Sequence, residues 1–378
     1  MKFFTHSGLK KYVGSTKERA MILFAIVSLG AFAILQSFSD DAQLDDRQAE
    51  EIASKHMERV IGVAREEFVS RGYTFDDQLD PNHTALIGTE YSEMVTTLGG
   101  VEAKRSTTNP AMAGLIVRLM REAGVTSGDT VAVGCSGSFP ALAIATLCAA
   151  RALNVHPVMI LSLGSSSYGA NRIDWTLLDI VTALTKKGLV DVSPAAVSLG
   201  GADDAANDLE VETRLLLIDK IRTSGYRFIN QSNLRQNVAE RLRVYLGEDE
   251  RGSLKAFVNI GGSFADLGTD PVVLKLEPGI NRQIQLPERE EQYGVVFAMA
   301  KRHIPVIHLL HIKGLVLKYG LPWDPTPLPA VTVDGPSHRR SEPGVKHWAV
   351  GGFYFVVLAM IVIFHRKEFL RISSRSRL

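Results

Sequence analysis

Apolar positions are distributed in two ways along this chain. At its ends they form unbroken runs, Ala20 to Leu35 and Trp348 to Phe364, with no Asp, Glu, Lys or Arg inside either. Each run comes close to the roughly 20 residues that a helix needs to cross a bilayer. With Gln36 to Phe38 and His347 placed at the interface, the predicted spans are residues 20–38 and 347–364. A buried core helix is the alternative for each. Between the runs, from Ala111 onward, short apolar stretches alternate with helical periods. That alternation predicts an α/β domain with a doubly wound, mostly parallel, Rossmann-like sheet. Strands are expected near residues 130–133, 157–163, 195–199, 227–229, 255–260 and 305–310. Helices are expected over 111–123, 141–153, 175–187, 210–223, 233–246 and 289–303.

Upstream of that pattern, Asp46 to Arg71 reads as an amphipathic helix with Ile52, Ala53, Met57, Val60, Ile61, Ala64 and Phe68 on one face, stopped by Gly72. It is expected to link the first apolar run to the domain, through a polar, turn-rich segment that ends near residue 110. Downstream, Leu321 to Lys346 carries Pro322, Pro325, Pro327, Pro329, Pro336 and Pro343, the composition of an extended linker.

Charge adds an orientation. Lys2, Lys10, Lys11, Lys17 and Arg19 precede the first run, whereas Asp40, Asp41, Asp45 and Asp46 follow it. Arg366, Lys367, Arg371, Arg375 and Arg377 follow the second run, against Arg339, Arg340 and Lys346 before it. Basic residues concentrate on the cytoplasmic side of membrane spans, so both termini are expected inside the cell and the main domain outside the cytoplasm. The first run reads better as an uncleaved anchor than as a signal peptide, because Gln36-Ser37-Phe38-Ser39 is a poor cleavage site. Overall, 42 Lys and Arg balance 41 Asp and Glu, so no global field would draw the chain to nucleic acid. Cys135 and Cys148, separated along a strand-to-helix turn and the helix after it, are expected as free thiols.

Candidate chemistry gathers where predicted strands end. Four of them run into Gly/Ser clusters: Gly134-Cys135-Ser136-Gly137-Ser138, Gly164-Ser165-Ser166, Gly200-Gly201 and Gly261-Gly262-Ser263. Carboxyl ends of strands border the ligand crevice of open α/β sheets, and Gly-rich turns before helices present backbone N–H groups to carboxylate or phosphate oxygens. The plainer reading is a set of tight turns, in which Gly and Ser are common. The first cluster is a near miss to the G-x-S-x-G nucleophile elbow, with Ser138 in place of the last glycine. Ser136 would then be a nucleophile, with Asp266 or Asp270 as the acid and His303, His308 or His311 as the base; packing and capping are the plainer roles of those histidines. Cys135 is a weaker nucleophile candidate. No metal site is expected, since Asp203, Asp204 and Asp208 lack an ordered calcium-loop pattern and His308 and His311 straddle a strand end. No cofactor is expected either: neither G-x-x-x-x-G-K-[ST] nor G-x-G-x-x-G occurs.

Several strings together resemble the poly-gamma-glutamate system protein family. They are Thr97-Leu98-Gly99, Glu102 through Pro110, Gly128 through Gly134, Ser136-Gly137-Ser138-Phe139-Pro140-Ala141, Ser198 through Gly201, Asn259 through Gly262, Pro305 through Leu310, and Tyr319 through Pro322 with Asp324-Pro325. The resemblance covers about residues 86 to 330. It implies a bacterial envelope component acting with the machinery that makes and exports poly-gamma-glutamate, an anionic polymer joined through side-chain carboxylates. An ATP-dependent amide ligase and small membrane proteins would be its companions. No catalytic residue comes with the resemblance. Lys104 and Arg105, inside the second matching string, would add positive charge beside the glycine loops, and the polymer or its synthesis and export proteins would be the partners. Solvated surface charge is the plainer role for these two residues.

Overall fold

The computed structural model describes residues 16–247, 254–331, 348 and 350–363. They divide into two units, residues 46–331 forming one and the remainder the other. In the smaller unit, the first part of α1 (Thr16–Ser70) and the helical residues 350–363 leave Met21, Ile26, Leu29 and Phe32, and Phe353, Phe355, Met360 and Ile363, exposed. Ser28 Oγ and Tyr354 OH lie 2.8 Å apart. Among the described residues no helix is long and apolar enough to cross a membrane. Residues 1–15 of the N-terminal basic tail, the whole C-terminal basic tail and most of the expected Pro-rich linker lie outside the described residues, and the expected second span does so in part.

In the larger unit the strands are β1 (Val95–Thr97), β2 (Thr130–Ser136), β3 (His156–Ser162), β4 (Ser165–Ser166), β5 (Asn171–Arg172), β6 (Trp175–Thr176), β7 (Ala196–Ser198), β8 (Phe228–Ile229), β9 (Leu254–Ile260), β10 (Gly279–Asn281) and β11 (Val306–Leu309). Seven of them form one sheet in the order β10-β11-β9-β2-β3-β7-β8, parallel throughout except for β10 against β11. From β2 the chain winds outward through β3, β7 and β8, then returns to the other side of β2 at β9. That reversal places a topological switch point between β2 and β9, where the diverging connections leave a crevice at the strand ends.

Alternation along the strands decides what each face buries. Val131, Val133, Met159, Leu161, Val258 and Ile260 point into one core, with Met57 of α1, Leu115 and Leu119 of α3 (Ala111–Glu122) and Leu142 of α4 (Pro140–Ala152). Ala132, Ile160, Phe257 and Val306 point into a second core, under α7 (Leu234–Leu246), the single-turn α8 (Phe264–Leu267) and α9 (Val295–Lys301). Both faces are therefore covered, and the domain is Rossmann-like α/β. On the flanks, α5 (Leu177–Lys186) starts at a capping box in which Thr176 and Asp179 satisfy each other's backbone N–H, and α6 (Val211–Ser224) ends on left-handed Gly225.

Some elements differ from those read in the sequence. The helix expected over 289–303 is a 3-10 turn at Glu290–Gln292 followed by the short α9. The break falls at Tyr293 and Gly294, which are pressed onto the backbone of Gly268. Ile52 is exposed rather than on the buried face of α1, while Ala49, Ala53, Met57, Val60, Ile61, Ala64 and Phe68 are buried. The segment between α1 and α3 contributes Leu86 and Met94 to the same core and forms α2 (Val101–Thr107), so it is part of the domain rather than a lead-in. Among the described residues the C-terminal end of the domain is α10 (Ile312–Tyr319) and the chain that follows it.

Beneath the carboxyl ends of the strands lies a fully buried charge cluster. Arg241 of α7 donates to Ser162 Oγ and Ser198 Oγ, each at 2.7 Å, and to both oxygens of Asp204, at 2.9 to 3.1 Å. Its other terminal nitrogen is 3.6 Å from Asp266. The Asp266 carboxylate sits directly over Gly134, where a Cβ would come within 2.7 Å of its oxygens. Gly134 is thus reserved for a neighbouring carboxylate rather than for a ligand. Replacing Arg241 with Met leaves two buried carboxylates without a counter-charge. Loss of a buried partner costs about 3–5 kcal/mol, and a fall of that size in urea unfolding free energy is expected for Arg241→Met.

Candidate functional site

The four Gly/Ser clusters do not contribute equally. One cleft of about 180 Å³ at the strand ends is lined by Ser136 at the end of β2 and Ser138 beyond it, Gly164 and Ser166 after β3, Gly200 and Gly201 after β7, and Gly262 and Ser263 after β9. The wall facing the sheet comes from the segment in which the sequence marks only Lys104 and Arg105: of those two Lys104 lines the cleft, and Thr96, Thr97, Leu98, Gly99, Gly100 and Ala103 line it as well. Ser162, Phe139, Phe264 and Leu310 complete it. The Gly99-Gly100 pair just before α2 is the one signal that could have found this wall.

Other candidates fall outside the cleft for identifiable reasons. Gly137 packs against the carbonyl of Leu163 and donates to Ser162 O. Ser165 is buried and its hydroxyl is turned to Ser166 O. Gly261 takes a left-handed φ of 87° just after β9, where a Cβ would come within 2.5 Å of Ser136 Oγ. Arg105, expected beside the ligand, makes a two-pronged ion pair with Asp324, both contacts at 2.6 Å. Neighbours on a helix point about 100° apart, so Lys104 and Arg105 cannot both face the crevice. Gly164 and Gly200 line the cleft and also let the third and second loops touch backbone to backbone, since a Cβ on either would come within 2.9 Å of a main-chain nitrogen in the other.

Lys104 carries the chemistry of the cleft. Its side chain is only 2% exposed. The Nζ donates to Ser138 O and to Ser166 Oγ, the latter at 2.7 Å, and stands 3.6 Å over the ring of Phe139. Among the described residues no carboxylate pairs with it. Burial without a counter-ion lowers its ordinary value of 10.5 to about 7. The 13-residue α4 begins at Pro140 with no side-chain cap, so its positive end adds to the field at Phe139 and Ser138.

Ser136 has none of the company that a nucleophile elbow requires. Its Oγ accepts a long bond from Ser138 N, 3.4 Å, and no described histidine or carboxylate hydrogen-bonds it. His308 is paired with Asn259 at 3.1 Å, and burial lowers it to about 4. His303 and His311 are exposed. Asp266 faces Arg241, and burial raises its carboxyl to about 6 against the opposing pull of that guanidinium. Asp270 caps the turn at Val272. Cys135 lies inside β2 rather than in the turn after it, and burial raises its thiol well above the usual range, so it is not a reactive thiolate. Cys148 is likewise buried and free.

Searches against protein-family models, curated proteins and solved structures found no match to this chain.

An unpaired buried amine lowers stability, and its protonation gives the sign. Between about 7 and 10.5 the unfolded chain holds a proton on Lys104 that the folded protein lacks, so stability rises with pH across that window. Lys104→Met is expected to raise unfolding free energy at pH 7 by about 1–3 kcal/mol and to abolish that rise. Urea titrations of both proteins at pH 7 and pH 9 measure it.

Proposed function

We propose that this cleft binds the carboxylate of a γ-linked glutamyl unit, and that the protein is a membrane-anchored accessory component of poly-gamma-glutamate synthesis or export. The observation that carries the reading is the convergence of four strand-end loops with one uncompensated lysine on a single crevice. Loops rich in N–H donors, the start of α4 and the Lys104 ammonium all favour an anion. The size favours a small group: about 180 Å³ lies below the roughly 300–1,000 Å³ of pockets that enclose drug-sized ligands. Because such a polymer is joined through side-chain carboxylates, each unit keeps a free α-carboxylate to present. The openness of the crevice between the 96–103 wall and the loop after β9 suits a chain that passes along it.

The pathway and the compartment rest on the sequence. The strings that resemble the poly-gamma-glutamate system family include both walls of the cleft, at Thr97-Leu98-Gly99 and at Asn259 through Gly262. The apolar runs and their basic flanks support two membrane-spanning helices with both termini cytoplasmic, which would bring the domain against exported polymer. Protease added to intact spheroplasts is expected to digest the domain; protection until lysis contradicts the placement.

Binding should be strongest when Lys104 is charged. Calorimetry of the full chain with γ-linked glutamate oligomers is expected to show affinity falling at least several-fold as pH rises from 6 to 8, through the lysine's value of about 7. Lys104→Met should weaken binding at pH 6 by about tenfold or more, the order expected for a charged hydrogen bond worth about 1.5–3 kcal/mol. An α-linked glutamate peptide bound equally well would remove the linkage specificity from this reading.

A further inference from the structure

We propose that Ser166 and Lys104 form a serine–lysine dyad, with Ser166 as the nucleophile and Lys104 as its base, that cleaves or transfers an acyl group at the amide carbonyl of a γ-glutamyl linkage. The choice of substrate rests on the reading of the cleft given above; the dyad rests on the geometry of the cleft alone. Ser166 is the only serine hydroxyl that Lys104 Nζ hydrogen-bonds among the described residues, at 2.7 Å, and both residues line the crevice. The pair is held from outside. Ser138 accepts from Lys104 through its carbonyl and from the Ser166 backbone N–H through its hydroxyl, the latter at 3.0 Å. Phe139 supports the amine from beneath. Buried lysines without a carboxylate partner serve as bases because the neutral amine is accessible near neutral pH, and Lys104 stands at about 7.

Gly99 gives the dyad its access. A Cβ there would lie 3.2 Å from Ser166 Oγ and 3.4 Å from Lys104 Cε, so the glycine leaves the face above both atoms open. The N–H groups of Gly99 and Gly100 have no hydrogen-bond partner among the described residues, and Gly99 lies against Ser166 Oγ, so these two donors are the candidates for holding an oxyanion. In the neutral state the Nζ lone pair accepts from the Ser166 hydroxyl while an N–H still donates to Ser138 O. As Ser166 Oγ adds to the amide carbon, its proton passes to Nζ, which becomes an ammonium, and the carbonyl electrons move to oxygen. Collapse of that oxyanion breaks the C–N bond, and Lys104 returns the proton to the departing amine. The acyl group is left as an ester on Ser166. Water or a second amine, deprotonated in turn by Lys104, releases it.

The full chain, treated with a fluorophosphonate and mapped by mass spectrometry, tests the dyad. The expected result is an adduct on Ser166, formed at a rate that climbs with pH and levels above about 7. Labelling should fall at least about 100-fold, the low end of a general base's contribution, in both Ser166→Ala and Lys104→Met. Lys104→Arg keeps the charge and discards the base: loss of labelling supports the dyad, and retained labelling overturns it. An adduct on Ser136 in place of Ser166, or none from pH 6 to 9, also overturns it. Should the lysine variants fail to fold, the wild-type rate profile decides, because labelling independent of pH excludes Lys104 as the base. Calorimetry with γ-linked glutamate oligomers separates the two readings: heat without labelling sinks the dyad alone, and labelling without heat sinks the polymer as ligand.

Discussion

The carboxyl ends of the sheet are held by one guanidinium. Arg241 reaches from α7 to the last residues of β3 and β7, Ser162 and Ser198, and to Asp204 in the loop beyond β7, with Asp266 of α8 alongside. These four groups belong to three strand-end connections, after β3, β7 and β9, so a single side chain fixes the relative positions of three loops. Such a cluster contributes little net stability once desolvation is counted, yet removing one member is severe. What it supplies is position. Ser162 is both a partner of Arg241 and part of the cleft floor, so the geometry of the crevice is inherited from a buried ion cluster beneath it.

That dependence explains which parts of the site were legible in the sequence. Glycine and serine at strand ends are a local signal, and the loops after β2, β3, β7 and β9 were all found from it. The signal does not separate a glycine that faces a ligand from one that faces protein. Gly134 makes room for Asp266 and Gly137 for Leu163 O, while Gly262 opens on the cleft. The fold itself was readable because its strands are buried on both faces and helices such as α3 and α5 keep an apolar period. Partners far apart in sequence were not readable. Asp324 lies 219 residues from Arg105 and takes its guanidinium entirely out of the site, and Asn259 does the same to His308 across two strands. The nucleophile elbow failed for that reason: its serine was correctly placed at a strand end, but the base it needed was engaged elsewhere.

Lys104 is the counterpart of Arg241, and the contrast between them separates structure from chemistry. Both are buried, and both are cations near the same strand ends. Arg241 is surrounded by carboxylates, which hold its charge permanently in place. Lys104 has a carbonyl, a hydroxyl and an aromatic face, which orient the amine without fixing its charge. A lysine retained for packing could be an apolar residue at lower free energy. Its retention in a crevice, unpaired and movable between two protonation states, is the arrangement expected of a group that reacts or binds.

The wall that carries Lys104 changes the meaning of the N-terminal third of the domain. A Rossmann-like sheet supplies only one side of the crevice at its switch point, and the other side must come from an insertion or an extension. Here the extension is continuous with α1: Met57, Val60 and Phe68 share a core with the sheet, Met94 is buried in that same core, and β1 pairs with β4 so that Val95 and Thr97 register against Ser165 and Ser166. That short parallel ladder sets Gly99 above Ser166 and aims α2 so that Lys104, not Arg105, enters the crevice. A shift of one residue in the ladder would reverse which side chains face the sheet and carry the lysine away from Ser138. The site is therefore specified by two registers at once, the sheet below and the two-residue ladder above, and the amine is positioned only where both hold.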